Sequence, residues 1–376
     1  MKKTNCFFLL VYFLLLCFGI LMVYSASSDS AQSNTGSSIT YFRNQGIYAL
    51  IGIFSLFFVS RLKKSLLVHT SLLKGLLAGM FVLLGIVLLT GKINGASRWI
   101  NIGFFNIQPV ELAKIILIWY TAFILSKKQK QLTENWVQVV WAPLIVLSLV
   151  GMLLFLQPDT GSVLILAGIV LVQVFASGIP FYLGLLSSLF ITSVLSGYIF
   201  LVSRYGTSVI GMSSYRFDRF KAFWSPFELE NGAGHQLVNS YYALDRGGLL
   251  GVGLGKSVQK TGYLPEPHTD FILAVIGEEL GLLGIIMILT LLFSLILWIF
   301  YLGIILKDPF ASLLCIGVGM MFLIQSCINI GGVTGWLPIS GVTLPFVSYG
   351  GSSLIISSLA IGLILNVSDT FRQVTD

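Results

Sequence analysis

Apolar stretches of roughly 20 residues, the length a helix needs to cross a bilayer, recur along this chain with short polar breaks between them. They lie at about 6–25, 44–60, 68–90, 109–126, 138–156, 160–177, 180–203, 271–302, 309–331 and 345–367, which predicts ten transmembrane helices. The sixth and seventh are separated only by a turn marked by Gly178 and Pro180. Between the seventh and eighth the pattern lapses over about 204–270. No internal repeat, low-complexity tract or soluble terminal domain interrupts the series. The expected architecture is an all-α polytopic membrane protein, one integral domain over 1–376, with a large extracellular loop between helices 7 and 8.

Composition strengthens this picture. The 376 residues are 56% hydrophobic and 10% charged, more apolar surface than a water-soluble fold of this length can hide. Mean hydropathy is +0.92. The net charge of +7 suits anchoring charges at a membrane better than a nucleic-acid partner. Cys6, Cys17, Cys315 and Cys327 fall in apolar runs without metal-like spacing and imply no disulfide framework. Lys2 and Lys3 before the run from Cys6 to Val23, with Ser25-Ala26-Ser27 after it, imitate a secretion signal. The run is long enough to span, and many spans follow, so it is expected to be a retained first helix.

Charge also orients the chain. With the N-terminus inside, the inner side carries Lys2, Lys3, Arg61, Lys63, Lys64, Lys127, Lys128, Lys130, Lys307 and Arg372. The short outer connections carry only Arg43, Lys92 and Arg98. Both termini are therefore expected in the cytoplasm, with 204–270 outside. That segment holds too many aromatics (Phe217, Phe220, Phe223, Trp224, Phe227, Tyr241, Tyr242, Tyr263) for a solvated coil. Its stretch Tyr215–Trp224 predicts a basic, aromatic helix lying in the interface plane.

Four polar groups share the outer face in this topology. They are Arg98-Trp99 with Gln108-Pro109-Val110-Glu111-Leu112-Ala113-Lys114, the turn Gln157–Gly161 with Asp159, the helix entrance Tyr263–Gly284, and the connection Gly331–Ser353. The entrance concentrates Glu266, His268, Asp270, Glu278 and Glu279 at the edge of an apolar span, where charge is expensive. Each group also has a purely structural explanation. Trp99 suits an aromatic belt and Arg98 can snorkel. Glu111 follows a first-position proline and favours the helix dipole, with Lys114 as its i,i+3 partner. Asp159 or Thr160 could cap the sixth helix, and Thr269 or Asp270 the eighth. Glu278 and Glu279 lie too deep to cap, so either they face a wet cavity or the span starts later. The stretch Gly251–Ser257 imitates a phosphate loop, but Leu250 occupies the position that motif needs as glycine.

Taken in order, NGASRWINIG, IQPVELAK, QPDTGS, RFDRFKAFWSPFE, GHQLVNSYYAL, GVGLGKSVQKTGYLPEPHTDFILAVIGEELG and LPISGVTLPFVSYGGSS resemble the SEDS family of bacterial wall polymerases over nearly the whole chain. The motifs look more like the division (FtsW) branch than the elongation (RodA) branch. The resemblance implies a ten-helix glycosyltransferase that polymerises lipid II, a polyprenyl-diphosphate disaccharide-peptide, beside a class B penicillin-binding protein and other division-site membrane proteins. It makes Asp270, the aspartate of the HTDF motif, the residue essential for polymerisation. The family's outer Arg-Trp motif falls on Arg98 and Trp99, its QPxE-xx-K motif on Gln108, Glu111 and Lys114, its QPD motif on Asp159, and its SYGGSS motif on Ser348–Ser353, including Ser352.

The implied reaction inverts a sugar carbon in one displacement. It needs a base for the attacking hydroxyl and cations for the departing diphosphate. Asp270 suits the first role; Arg98, Lys114, Arg216 and Arg219 suit the second. His268, Glu266, Glu278 and Glu279 remain supporting candidates. A divalent cation, Mg2+ or Mn2+, bridging a carboxylate and the diphosphate fits such chemistry, and no organic cofactor is expected. Competing functions are a lipid II flippase, which predicts inverted repeats and midplane charge, a recruiting scaffold, which predicts a dispensable polar cluster, and a RodA-type elongation polymerase.

Overall fold

The apolar runs fold as helices. The computed structural model describes residues 2–90, 98–101, 103, 106–208 and 214–372. In chain order these form α1 (Lys2–Thr35), α2 (Thr40–Ser60), the single turn α3 (Lys64–Leu67), α4 (Thr70–Leu89), a two-stranded hairpin β1 (Ile100–Asn101) and β2 (Asn106–Ile107), α5 (Pro109–Lys127), α6 (Gln129–Leu156), α7 (Thr160–Ala176), α8 (Phe181–Tyr205), α9 (Ser214–Trp224), α10 (His235–Gly247), α11 (Ile272–Ile305), α12 (Pro309–Val333) and α13 (Gly351–Arg372). Eight of them are long and apolar enough to cross a membrane: α1, α2, α4, α5, α6, α11, α12 and α13. The shorter apolar α7 and the 25-residue α8 complete the expected ten.

Helix α5 is the axis of the bundle. Its apolar window is 78% buried, against 22% for α4, so α5 is surrounded by protein while α4 turns its leucines outward. It packs on α4, α6, α7, α12 and α13, and α11 packs on α1, α10 and α12. The α2–α13 pair is closely apposed because a Cβ at Gly52 would strike Ser358 and one at Gly362 would strike the Leu56 backbone. Small residues that let helix backbones approach are a membrane packing device. The inner face of α1, with Phe8, Tyr12, Leu15 and Leu16, is buried in the same core. The exposed Phe54, Phe58, Trp141, Met152 and Phe155 lie on α2 and α6, where apolar side chains suit lipid.

Three boundaries differ from the hydropathy pattern. The last helix starts at Gly351 instead of 345 because 342–350 is non-helical chain, although Leu344, Phe346 and Val347 are buried. Helix α1 extends past the predicted 25 to Thr35. Helix α11 is broken at Gly281, whose φ of 68° is open chiefly to glycine. At that break Leu282 N–H donates to Gly248 O and Leu283 N–H to Leu249 O, while Val252 N–H and Gly253 N–H donate to the Glu278 and Glu279 carbonyls. The glycine-rich segment 247–253 thus replaces the missing turn. Helix α10 was not foreseen as an element of its own; α9 was.

Candidate active site

Asp270 stands at the end of the connection into α11. The N-cap of that helix is Phe271, with no side-chain cap bond, so neither Asp270 nor Thr269 caps it. The capping explanation open at the sequence level therefore fails for Asp270. Its Oδ1 accepts the Thr269 hydroxyl at 2.8 Å, and its backbone carbonyl accepts Asn329 Nδ2 at 2.8 Å. The residue lines a small cavity, about 180 Å³ with its open mouth, together with Asn329, Gly332, Ile339, Ser340 and Gly341. The cavity's enclosed part is about 10 Å³, room for about one water, so a sugar would meet it at the mouth.

Burial pushes the Asp270 carboxyl above its ordinary range, while the Thr269 hydroxyl and the Arg219 charge pull it back. Protein surrounds the group, yet it remains partly accessible through the pocket. Arg219 arrives from α9 and donates through Nη1 to Ile339 O at 2.8 Å, which fixes it on the rim. Arg216 belongs to the same helix, but its side chain lies outside the described residues. Glu266, more than half exposed, is raised by partial burial and then by the Asp270 charge.

His268 is buried against the Tyr41 and Tyr349 rings, at 4.5 and 5.4 Å, and burial lowers its pKa to about 4. It is neutral at pH 7. Its Nε2 lies 3.8 Å from Glu266, and its carbonyl accepts Tyr349 N–H at 2.8 Å. The ring therefore braces the Asp270 connection against α2 and the segment before α13.

A second polar group lies at the turn before α7, outside the pocket lining. Asp159 is the N-cap of α7 and accepts from Ser162 N and Oγ. Arg98 lies 3.6 Å from Asp159 and donates to Pro158 O at 2.7 Å, with its Nε buried and without a partner among the described residues. A Cβ on Gly161 would sit 3.7 Å from Ser340, so this turn abuts the same 339–342 segment that walls the Asp270 pocket. Trp99 is half-buried next to Arg98.

Glu111 and Lys114 form a buried 2.8 Å ion pair in the first turn of α5. Ser352 accepts Gln108 N–H at 3.1 Å and donates to Asn106 O at 2.8 Å, tying α13 to the hairpin and the start of α5. Ser348 is internal: its Oγ accepts Leu344 N–H and its carbonyl accepts Gln45 Nε2. The structure does not bring Ser348 to the Asp270 pocket lining.

Glu278 and Glu279 face no wet cavity. Both are fully buried just before the Gly281 break. Glu278 receives Arg246, the Ser257 hydroxyl, Val258 N–H and Gln259 N–H; Glu279 receives Ser25 and Lys260 Nζ, the latter at 2.7 Å. Glu278 fastens the end of the loop that resembles a phosphate motif: the Ser257 hydroxyl and the Val258 and Gln259 N–H groups just beyond it meet the carboxylate, while Val252 and Gly253 N–H donate to the Glu278 and Glu279 backbone carbonyls.

Asn329 was missed from sequence, whereas the Ile339–Val342 wall belongs to the connection Gly331–Ser353 expected at this face. An amide deep in the apolar run of α12, where Gln325 is the other, was the available signal. Among the described residues no three His, Cys, Asp or Glu side chains gather as a metal site. A cation carried in by a diphosphate would find Asp270 and Glu266 as nearby carboxylates.

Comparison with known proteins fits this geometry. Residues 5–373 match the family model for cell cycle proteins of the FtsW/RodA/SpoVE type. The chain is 38% identical over 374 residues to a probable peptidoglycan glycosyltransferase FtsW of Bacillus subtilis, covering 98% of this chain and 91% of the relative. It is 39% identical to stage V sporulation protein E of the same organism, covering 98% of each. Among solved structures, a chain from a peptidoglycan synthase complex that coordinates polymerization and crosslinking aligns with TM-score 0.77 at 26% identity, over 97% of this chain and 98% of that one. Rod shape determining protein RodA of Thermus thermophilus aligns with TM-score 0.68 at 28% identity, over 97% and 96%.

Proposed function

Because the chain belongs to the FtsW/RodA/SpoVE family of cell cycle proteins, we infer that it is a peptidoglycan glycosyltransferase that polymerises lipid II into glycan strands. The observation that carries the site assignment is Asp270: a carboxylate with raised pKa, released from helix capping, accessible at a pocket and flanked by Arg219. A base needs that combination of access and proton affinity.

The acceptor hydroxyl enters at the pocket and gives its proton to an Asp270 carboxylate oxygen as its own oxygen attacks the donor's anomeric carbon. The bond from that carbon to the polyprenyl diphosphate breaks, inverting its configuration. Arg219 on the rim carries the positive charge that the leaving diphosphate meets, and Arg98, held at the turn before α7, is a further cation for it. Lys114 is neutralised by Glu111 and sets the entrance of α5. A divalent cation, if the diphosphate brings one, would add charge neutralisation beside Asp270.

The excess of Lys and Arg on alternate connections supports placing this face outside the cytoplasm, with both termini inside. Similarity to FtsW relatives supports work at the division septum, and similarity to a chain of a synthase complex supports a class B penicillin-binding protein as partner. The test is glycan-chain synthesis from purified lipid II by the protein with that partner. Asp270→Asn is expected to lower the rate by about 10²- to 10⁴-fold while expression and partner binding persist. Full activity in that variant would remove Asp270 from the chemistry.

A further inference from the structure

Asn329 lies in α12 and is 3% exposed. Its Nδ2 donates two bonds of 2.8 Å, one to Asp270 O and one to Val342 O. Those carbonyls belong to different connections: one carries the proposed base, the other forms the wall of its pocket. Both neighbours are acceptors, so the amide cannot be flipped without setting Oδ1 against two carbonyl oxygens. The bonding therefore fixes where Oδ1 sits. It is buried, with no donor among the described residues, on a side chain that lines the pocket beside Asp270. Buried polar atoms without partners are uncommon and call for an explanation.

We propose that Asn329 is the positioning residue of this site: its amide clamps the Asp270 backbone to segment 339–342 and so holds the carboxylate at the pocket. The clamp spans the pocket, so it sets the distance between the carboxylate and the opposite wall. Without it, nothing else described ties the Asp270 carbonyl to α12 or to Val342. The proposal rests on Asp270 acting as base. Among the described residues, the charged and titratable groups around Asp270 are Arg219 from α9 and Glu266 from its own connection, with His268 beyond Glu266; α12 presents the neutral Asn329.

Asn329→Ala and Asn329→Asp in the full-length protein with its partner separate the possibilities. Lipid II polymerisation is followed from about pH 5 to 9, alongside thermal unfolding in detergent. Asn329→Ala is expected to lower kcat by about 10- to 100-fold, as misplacement of a reacting group does. Asn329→Asp is expected to lower kcat similarly and to move the acid limb of the profile upward by about one unit, because a second carboxylate then adjoins Asp270. Wild-type kcat and an unmoved limb in both variants would overturn the proposal. So would an activity loss that merely tracks loss of folded protein with the limb in place. Asp270→Asn serves as the reference arm: if it is active, the assignment of the base fails first; if it is inactive while both Asn329 variants behave as wild type, only the Asn329 proposal falls.

Discussion

Asp270 and the Glu278–Glu279 pair stand on either side of the first turns of α11, yet their surroundings are opposite in kind. Glu278 has four donors and Glu279 is held by Ser25 and Lys260, all in the interior. Asp270 has one neighbouring hydroxyl, its own backbone N–H, an arginine charge at longer range and an opening to a pocket. A carboxylate whose lone pairs are all engaged holds structure together. One that is desolvated and under-coordinated keeps its affinity for a proton and can use it. Sequence proximity made these residues look like a single cluster; coordination separates them.

The largest expected contrast is between activity and stability. Asp270→Asn should remove activity by the factor given above while leaving the unfolding temperature unchanged or raised, since it replaces an unfavourably buried charge with an isosteric amide. Glu279→Gln should do the reverse, lowering stability by about 3–5 kcal/mol because Lys260 is left buried without its counter-charge. Unfolding of both variants in detergent reads this directly. If Glu279→Gln unfolds like wild type, the division between structural and chemical carboxylates collapses. The double change Lys260→Met with Glu279→Leu should recover most of the loss, as apolar replacement of a buried pair often does.

Arg219→Met offers the next effect. It removes a cation from the rim and should lower kcat by about 10-fold or more. The pH dependence carries a sign. Asp270 must be ionised to accept a proton, so activity declines as pH falls through its raised pKa, above the ordinary value near 3.9 for aspartate. Arg219 lowers that pKa, hence its removal should shift the acid limb further upward. A downward shift would show that the guanidinium does not act on Asp270.

The smallest effect concerns His268. Its folded pKa of about 4 lies below the unfolded value near 6.5, so the unfolded chain binds more protons between them. Stability is complete above the unfolded value and declines as pH falls towards the folded one. At pH 6 the loss is under about 1 kcal/mol. His268→Gln should flatten this slope in unfolding measured from neutral to mildly acidic pH.

Hydropathy alone located the eight spans found among the described residues and the apolar α7 and α8, because lipid imposes a length and a composition that any spanning segment must meet. Local signals also served where the partner lies within a few residues. Asp159 caps α7, Pro109 opens α5, and Glu111 meets Lys114 three residues on. Signals failed where the partner is remote in sequence. The break at Gly281 depends on a backbone conformation and on the glycine-rich segment from Gly247, neither of which alters apolar content. The start of α13 was misplaced because a buried loop containing Leu344, Phe346 and Val347 has the composition of a helix. Asn329 was passed over because its value lies in two carbonyls from other connections. Asp270 itself was nominated by family resemblance; spacing left it a capping candidate, and only the cap geometry removed that alternative.

The break in α11 also works as a ruler. Beyond Gly281 the helix continues from residue 282 to 305, and 24 residues at 1.5 Å each give about 36 Å, enough for the hydrocarbon layer of about 30 Å. The nine residues Ile272–Leu280, about 14 Å long, then stand apart from the spanning rod, with Asp270 two residues beyond them. That is the depth range of headgroups, where the diphosphate of a lipid-linked sugar resides. A polymerase that keeps one end of its product attached to lipid must act at a constant height, and a glycine-defined step in one helix, stitched to the 247–253 segment, helps to set that height.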